Sequence, residues 1–319
     1  MSAREARIGV VGATGAVGTV TLRLLRERGY TRVRAFASSR SAGRRLDGGL
    51  AVEEATPAAL AAGGLDLVLF SCGTSASRQL VPGAVEGGAL AVDKSSAYRL
   101  ADGYPLVVPE VNGERALEAL ETTRVVANPN CSTIPLTCVL KPLHDAAGLE
   151  RVRVATYQAV SGAGARRMER LRGERPEEHD LEFDWPWEGD ETEEEAKLRA
   201  ETRKILELPE LPLSATTVRV PVLVGHAQAV WLETVEPLSP SRAEALLAAA
   251  PGVRLVEAPT PRAAARTQDV LVGRLRPDRA AGRHGLALFL ACDNLVKGAA
   301  LNAIQIAELL LEPVRAAAR

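Results

Sequence analysis

The chain has 319 residues, 46% hydrophobic and 25% charged, with a formal net charge of -1. That length allows two domains of ordinary size, and the composition is that of a globular protein. The charge balance excludes a basic surface for nucleic acid or anionic lipid. No apolar run approaches the roughly 18 residues of a membrane span, and the charged start Met1–Arg7 lacks the apolar core of a signal peptide, so a cytoplasmic location is expected.

The first 130 residues alternate strand and helix. Arg7–Val11 predicts a strand, Val17–Arg28 a helix and Val33–Ala37 the next strand. Leu65–Ser71 and Ala89–Asp93 read as short buried strands with Ser75–Glu86 helical between them, and Val107–Val108 and Arg124–Ala127 as two more. This alternation predicts a parallel sheet covered by helices, with ligands at the carboxyl ends of its strands. An apolar-periodic run from Ile134 to Leu149 predicts a helix. From Arg151 the chain changes character: Arg151–Val160, Ser214–Val220, Ala227–Glu236 and Leu286–Cys292 are longer, β-branched strands of a mixed or antiparallel sheet. A polar, acidic insertion from Arg166 to Glu195 carries Trp185-Pro186-Trp187, and a helix starts near Glu193. The last segment, Ala299–Leu311, has helical spacing and is expected to pack back on the first domain.

Gly12-Ala13-Thr14-Gly15-Ala16-Val17-Gly18 lies between the first strand and the first helix. Backbone N–H groups of such a turn can hold a pyrophosphate, whereas the same glycines elsewhere mark a plain tight turn. The fold expected is therefore α/β: a Rossmann-like dinucleotide-binding domain at residues 1–130, with the C-terminal helix at 299–319, and a second, α+β domain at 131–298. A site for NAD carries an acidic residue at the end of the second strand. This chain has Ser38-Ser39-Arg40-Ser41 instead. Arginine and hydroxyls suit a 2′-phosphate and point to NADP; the other reading is a solvated loop arginine.

Asn128-Pro129-Asn130-Cys131-Ser132-Thr133-Ile134 places a cysteine just before a helix. Unpaired N–H groups and the helix dipole there favour thiolate, the nucleophilic form. A small buried thiol is the competing reading. Four scattered cysteines, Cys72, Cys131, Cys138 and Cys292, form no disulfide framework and no metal-binding spacing. Of the four histidines, His144, His179 and His284 read as solvated. His226, at the glycine break after Arg219-Val220-Pro221-Val222-Leu223-Val224-Gly225, is the preferred acid/base beside an activated cysteine. Arg219 is a candidate carboxylate clamp. Glu194 and Lys197 are three apart on one helix and could be a surface ion pair; Arg99 could be an ordinary surface charge.

These residues resemble one family, aspartate-semialdehyde dehydrogenase, over essentially the whole chain. The motifs are Gly12–Gly18, Ser38–Gly43, Asp93–Arg99, Val108–Asn112, Asn128–Leu136, Thr156–Gly164, Glu194–Leu206, Arg219–Val230 and Cys292–Glu308, in this order. The resemblance implies a nucleophilic Cys131 that carries an acyl thioester, His226 as proton acceptor and donor, and Gln158 orienting the substrate. It implies Arg219 on the substrate α-carboxylate, Glu194 on its ammonium, and Arg99, Asn130 and Lys197 on phosphate. NADP would meet Gly12, Thr14, Gly15, Ala16, Val17 and Gly18, with Arg40 and Ser41 on its 2′-phosphate and Ser161, Gly162 and Asn294 bordering the nicotinamide.

The second domain would serve catalysis and homodimerisation, with small-molecule substrates as partners and no metal. The implied reaction is reductive dephosphorylation of L-4-aspartyl phosphate, which feeds lysine, threonine, methionine and isoleucine synthesis. Two departures stand out: Lys94 replaces the family's usual Asn, and Asp184-Trp185-Pro186-Trp187 differs from its usual Asn-containing, Pro-ending stretch. An N-acetyl-γ-glutamyl-phosphate reductase would share the thioester logic, but Asn130, Ser132 and Glu194 argue against it. A non-catalytic NADPH-binding protein would have no need of the cysteine, histidine and arginine together.

Overall fold

The structure, a computed structural model, describes residues 3–173, 178–281 and 284–316. The chain divides into two compact units, Met1–Pro129 with Ala299–Arg319, and Asn130–Gly298.

In the first unit, six parallel strands form one sheet: β1 (Ile8–Val11), β2 (Val33–Ala37), β3 (Val52–Glu54), β4 (Leu67–Phe70), β5 (Leu90–Asp93) and β6 (Val125–Ala127), ordered β3-β2-β1-β4-β5-β6. Strand order reverses between β1 and β4, the crevice where doubly wound sheets bind dinucleotides. β1, β4 and β5 are buried along their whole length. Both faces are covered, so they read as continuous apolar runs. β3 was hidden in the sequence because two of its three residues are glutamates. It is an edge strand, and Glu53 meets Arg34 of β2 through two hydrogen bonds. The strand expected at Val107–Val108 is not formed. Leu106 makes a single bridge to Ala127, and Pro109 then opens a short helix, Pro109–Asn112, because its fixed φ suits a first helical position.

The helix Leu301–Ala316 belongs to this unit. Asn302 Nδ2 donates to the Val107 carbonyl at 3.0 Å and to Asn128 Oδ1 at 2.8 Å. Glu308 pairs with Arg28, the C-cap of the first helix, Ala16–Glu27.

The second unit is built on a mixed sheet. Its strands are β7 (Leu149–Ala159), the two-residue hairpin β8 (Trp187–Glu188) and β9 (Glu191–Thr192), then β10 (Leu213–Val220), β11 (His226–Thr234), β12 (Val253–Leu255), β13 (Val270–Pro277) and β14 (Gly285–Cys292). The large sheet runs β10-β7-β11-β14-β13-β12. Register brings its chemistry to one end. Arg219 of β10 lies beside Gln158 of β7, and His226, the first residue of β11, lies beside Cys292, the last of β14. The helices Thr133–Ala147 and Glu193–Leu206 belong to this unit, and the second opens with a capping box between Thr192 and Glu195. Residues 174–177 of the acidic insertion lie outside the described residues; the rest forms a helix at Ala165–Gly173, the β8–β9 hairpin, and an added bridge from Glu182 to Arg219 on the β10 edge. Among the described residues no helix is long and apolar enough to cross a membrane.

Candidate active site

Cys131 stands just before the Thr133–Ala147 helix, half-buried, with Gly298 packed against it; a Cβ there would lie 3.2 Å from both the Cβ and the carbonyl of Cys131. The N–H groups at the helix start, expected from the sequence to be unpaired, are taken by Asn130. Asn130 Oδ1 accepts from Ser132 N–H at 2.7 Å, and the Asn130 carbonyl accepts from Thr133 and Ile134 at 3.0 and 3.1 Å. Asn130 therefore takes up the N–H groups of Ser132, Thr133 and Ile134 at the helix start, and the sulfur meets the helix dipole and a side chain. That side chain is His226, whose Nε2 lies 3.2 Å from Cys131 Sγ.

The other nitrogen of His226 fixes its role. Nδ1 accepts the backbone N–H of Ala159 at 2.9 Å, so the neutral ring carries its proton on Nε2, toward the sulfur. Burial first, and then the charge of Arg219, push the ring's pKa down to about 3. An imidazolium would set N–H against N–H at Ala159. In this structure the ring therefore faces the sulfur as a neutral donor.

Gln158, Glu194 and Asn130 form one buried cluster. Glu194 Oε1 accepts from Gln158 Nε2 at 3.0 Å, and both its oxygens accept from Asn130 Nδ2 at 3.0 Å. Arg219 is 4% exposed. Its Nη1 donates to the Ala159 carbonyl at 3.2 Å, and its outer edge meets the Asp184 carboxylate at 3.1–3.3 Å. Trp185 lies over the guanidinium at 4.3 Å. Gly162 touches both key side chains: a Cβ there would lie 3.0 Å from Arg219 Nη1 and 3.3 Å from His226 Cε1 and Nε2. Ser161 and Asn294 hydrogen-bond to each other, and Asn294 Oδ1 also accepts from Gly225 N–H, which holds the turn before His226. The second unit thus brings together Cys131, His226, Gln158, Glu194, Asn130, Arg219, Ser161, Gly162 and Asn294. Lys197 is ion-paired with Glu193 on its own helix.

Four contributors were missed in the sequence. In the sequence Asp184 stands out only as part of the unusual segment Asp184–Trp187. Glu201, fully buried, accepts Asn130 N–H at 2.7 Å; its i,i+7 spacing from Glu194 was the available signal. Gln228 Nε2 donates to the Ser132 carbonyl at 2.7 Å. The Ala159 N–H, a backbone group, left no signal at all. Two histidines expected to be solvated are bonded to backbone: His144 Nδ1 accepts from Leu149 N–H, and His284 Nδ1 meets the carbonyls of Thr234 and Val235.

In the first unit, the glycine turn follows β1 directly. Gly12 has φ +79°, and a Cβ on it would lie 2.3 Å from the Ser71 carbonyl oxygen; one on Gly18 would lie 2.1 Å from the Gly12 carbonyl oxygen. Both positions accept only glycine. The helix that follows has Gly15 at its N-cap and no side-chain cap, so Thr14, Ala16 and Val17 surround a helix start suited to a diphosphate. After β2 the chain offers Arg40, exposed, and Ser41, with no carboxylate. These features fit a dinucleotide carrying a 2′-phosphate. Arg99 is buried, with Nε on the Asn128 carbonyl at 3.0 Å and Nη2 on that of Lys94 at 2.6 Å. No cluster of three or more metal-ligating side chains occurs among the described residues.

Comparison with known proteins identifies the family. Residues 7–119 match the family model "Semialdehyde dehydrogenase, NAD binding domain", and residues 140–190 and 185–297 match "Semialdehyde dehydrogenase, dimerisation domain". The aspartate-semialdehyde dehydrogenase of Streptomyces akiyoshiensis is 45% identical, over 95% of this chain and 98% of the relative. That of Mycolicibacterium smegmatis is 46% identical over the same shares. The chain belongs to the aspartate-semialdehyde dehydrogenase family. Among solved structures of the family, aspartate semialdehyde dehydrogenase II of Vibrio cholerae complexed with ASA superposes with a TM-score of 0.90 at 36% identity, covering 96% of this chain and 98% of that one. The enzyme from Candida albicans with NADP gives a TM-score of 0.77 at 26% identity, covering 96% of this chain and 98% of that one.

Proposed function

We propose that this chain is an NADP-dependent aspartate-semialdehyde dehydrogenase that converts L-4-aspartyl phosphate to aspartate 4-semialdehyde and phosphate through a thioester on Cys131, and that it works as a homodimer. The observation that carries this reading is the 3.2 Å contact between Cys131 Sγ and His226 Nε2, with Arg219 and the Gln158–Glu194 pair in the same unit.

The residues divide the work. The Cys131 thiolate adds to the acyl carbon and phosphate leaves, so one difficult displacement becomes two easier steps. Arg219 holds the α-carboxylate and Glu194 the ammonium, while Gln158, bonded to Glu194, orients the carbonyl beside the sulfur. Lys197 and Asn130 serve the phosphate. When bound, NADPH supplies the hydride that brings the thioester to the aldehyde level; Gly12 to Gly18, Arg40 and Ser41 would hold it, with Ser161, Gly162 and Asn294 toward its nicotinamide. Collapse of the tetrahedral oxyanion returns a thiolate, and the Nε2–H of His226 stabilises that sulfur without leaving its own ring. The ring need never carry a charge in this cycle.

The test is turnover of aspartate semialdehyde with phosphate and NADP, read as NADPH absorbance, for the parent and Cys131→Ser. The serine variant is expected to bind NADP and lose nearly all turnover. More than about a tenth of the parent rate in that variant would end the thioester reading, since an enzyme's covalent step depends on an activated nucleophile.

A further inference from the structure

Arg219 is already occupied. Its Nε–Nη2 edge, the one that takes a carboxylate side-on, faces Asp184 at 3.1–3.3 Å. The inner nitrogen is committed to the Ala159 carbonyl. The outer edge is therefore the part of the fork left for a ligand, and a residue of the same chain fills it. Asp184 approaches from the solvent side, since its side chain is 25% exposed against 5% for that of Arg219. Trp185 closes over the guanidinium face, and paired backbone hydrogen bonds between Glu182 and Arg219, 3.0 and 2.8 Å, hold the segment to the β10 edge.

We propose that Asp184 is a tethered competitor for the substrate's α-carboxylate. Resting on the reading of Arg219 as carboxylate clamp, it assigns segment 182–187 the role of a latch that only a carboxylate ligand displaces. The latch protects a buried cation from standing unpaired between turnovers. It also raises the demand on the ligand, because a substrate without a carboxylate cannot replace the one it expels. The contact is built to yield. Its distances are longer than those of the surface pair between Arg34 and Glu53, at 2.6 and 2.8 Å, and longer than charge-assisted pairs prefer. Opening gives up the Glu182–Arg219 bridge and the Trp185 ring contact, works against the Arg167–Glu182 ion pair and the hydrogen bond from Glu193 N–H to the Pro186 carbonyl, and leaves β10 paired with β7.

The apparent affinity of a site that must first open is its intrinsic affinity reduced by the open fraction. A latch closed about 70–90% of the time therefore raises KM about 3- to 10-fold. Asp184→Asn keeps the shape and removes the charge. In the complete dimeric enzyme, its KM for aspartate semialdehyde is expected to fall by that factor, with the KM for phosphate unmoved. A second measurement reads the latch directly. In a Trp187→Phe, Trp231→Phe background the remaining fluorescence is that of Trp185, and saturating L-aspartate is expected to shift it toward the solvated indole spectrum, whereas L-aspartate diamide is not. An unchanged or raised KM in Asp184→Asn, or a Trp185 spectrum indifferent to L-aspartate, overturns the proposal. If the parent itself fails to turn over aspartate semialdehyde, the functional reading has failed instead.

Discussion

His226 Nδ1 accepts the N–H of Ala159 at 2.9 Å, and this contact decides what the same ring offers Cys131 on its other side. A ring held in this way stays neutral down to a pKa of about 3. Its unfolded value is near 6.5, so between these limits the unfolded chain binds one more proton than the folded one. Stability is therefore expected to fall as pH drops below 6.5, at up to about 1.4 kcal/mol per pH unit from this group. His226→Asn should remove that slope. Urea unfolding of both proteins from pH 4.5 to 7.5 checks it; parallel curves would mean the ring protonates normally in the folded state. The same argument expects no limb of kcat/KM near pH 6.5 that disappears in His226→Asn.

Gly162 sits where any side chain would wedge between Arg219 and His226. Its φ is ordinary, so alanine is tolerated by the backbone and felt only through contact at 3.0–3.3 Å. Gly162→Ala is expected to lower kcat/KM by roughly 10- to 100-fold, the scale of small misplacements at reacting groups, while the thermal midpoint moves little. A large loss of midpoint with proportionate loss of activity would show a packing defect instead.

The cysteines should differ in reactivity. Cys138 and Cys292 are buried, and burial pushes the Cys292 thiol well above its ordinary value. Burial likewise raises Cys72, which is bonded to Ser77. Iodoacetamide at neutral pH is expected to label Cys131 first, with activity lost in step, and excess phosphate plus aspartate semialdehyde should slow both. Mass spectrometry of partly inactivated enzyme decides it; earlier labelling of Cys72 would displace Cys131 as the reactive thiol.

Cofactor preference should follow Arg40. Arg40→Asp removes a partner for a 2′-phosphate and adds one suited to a ribose diol, so the NADP/NAD ratio of kcat/KM is expected to fall by about one to two orders of magnitude, matching roughly 1.5–3 kcal/mol for a charge-assisted hydrogen bond. Equal Michaelis constants before and after would make Arg40 a solvated bystander.

What was legible in the sequence was what periodicity and punctuation report. β1, β4 and β5 announced themselves as apolar runs, and the turns at Gly12 and Gly225 as breaks beside chemistry. β3 was not legible, because an edge strand can spend its residues on charge, as Glu53 and Glu54 do. Cys131, His226 and Arg219 were readable because each lies at or near the end of an element, and Gln158 only through the family resemblance. Their occupancy was not. That Asn130 uses up the helix N–H groups, or that Asp184 fills the Arg219 fork, depends on contacts between segments far apart in sequence, and no spacing rule records those. The tautomer of His226 depends on a main-chain donor, which one-letter code does not vary.

The return of the helix Leu301–Ala316 to the first unit has a consequence for synthesis. Asn302 supplies hydrogen bonds to Val107 and Asn128, and the chain that provides it is made last. On the ribosome, residues 3–129 emerge first and must wait for the final segment, while Asn130–Gly298 is continuous and can close as soon as it clears the exit tunnel. The amino-terminal unit is therefore finished after the Asn130–Gly298 unit, although its first residues are made before it.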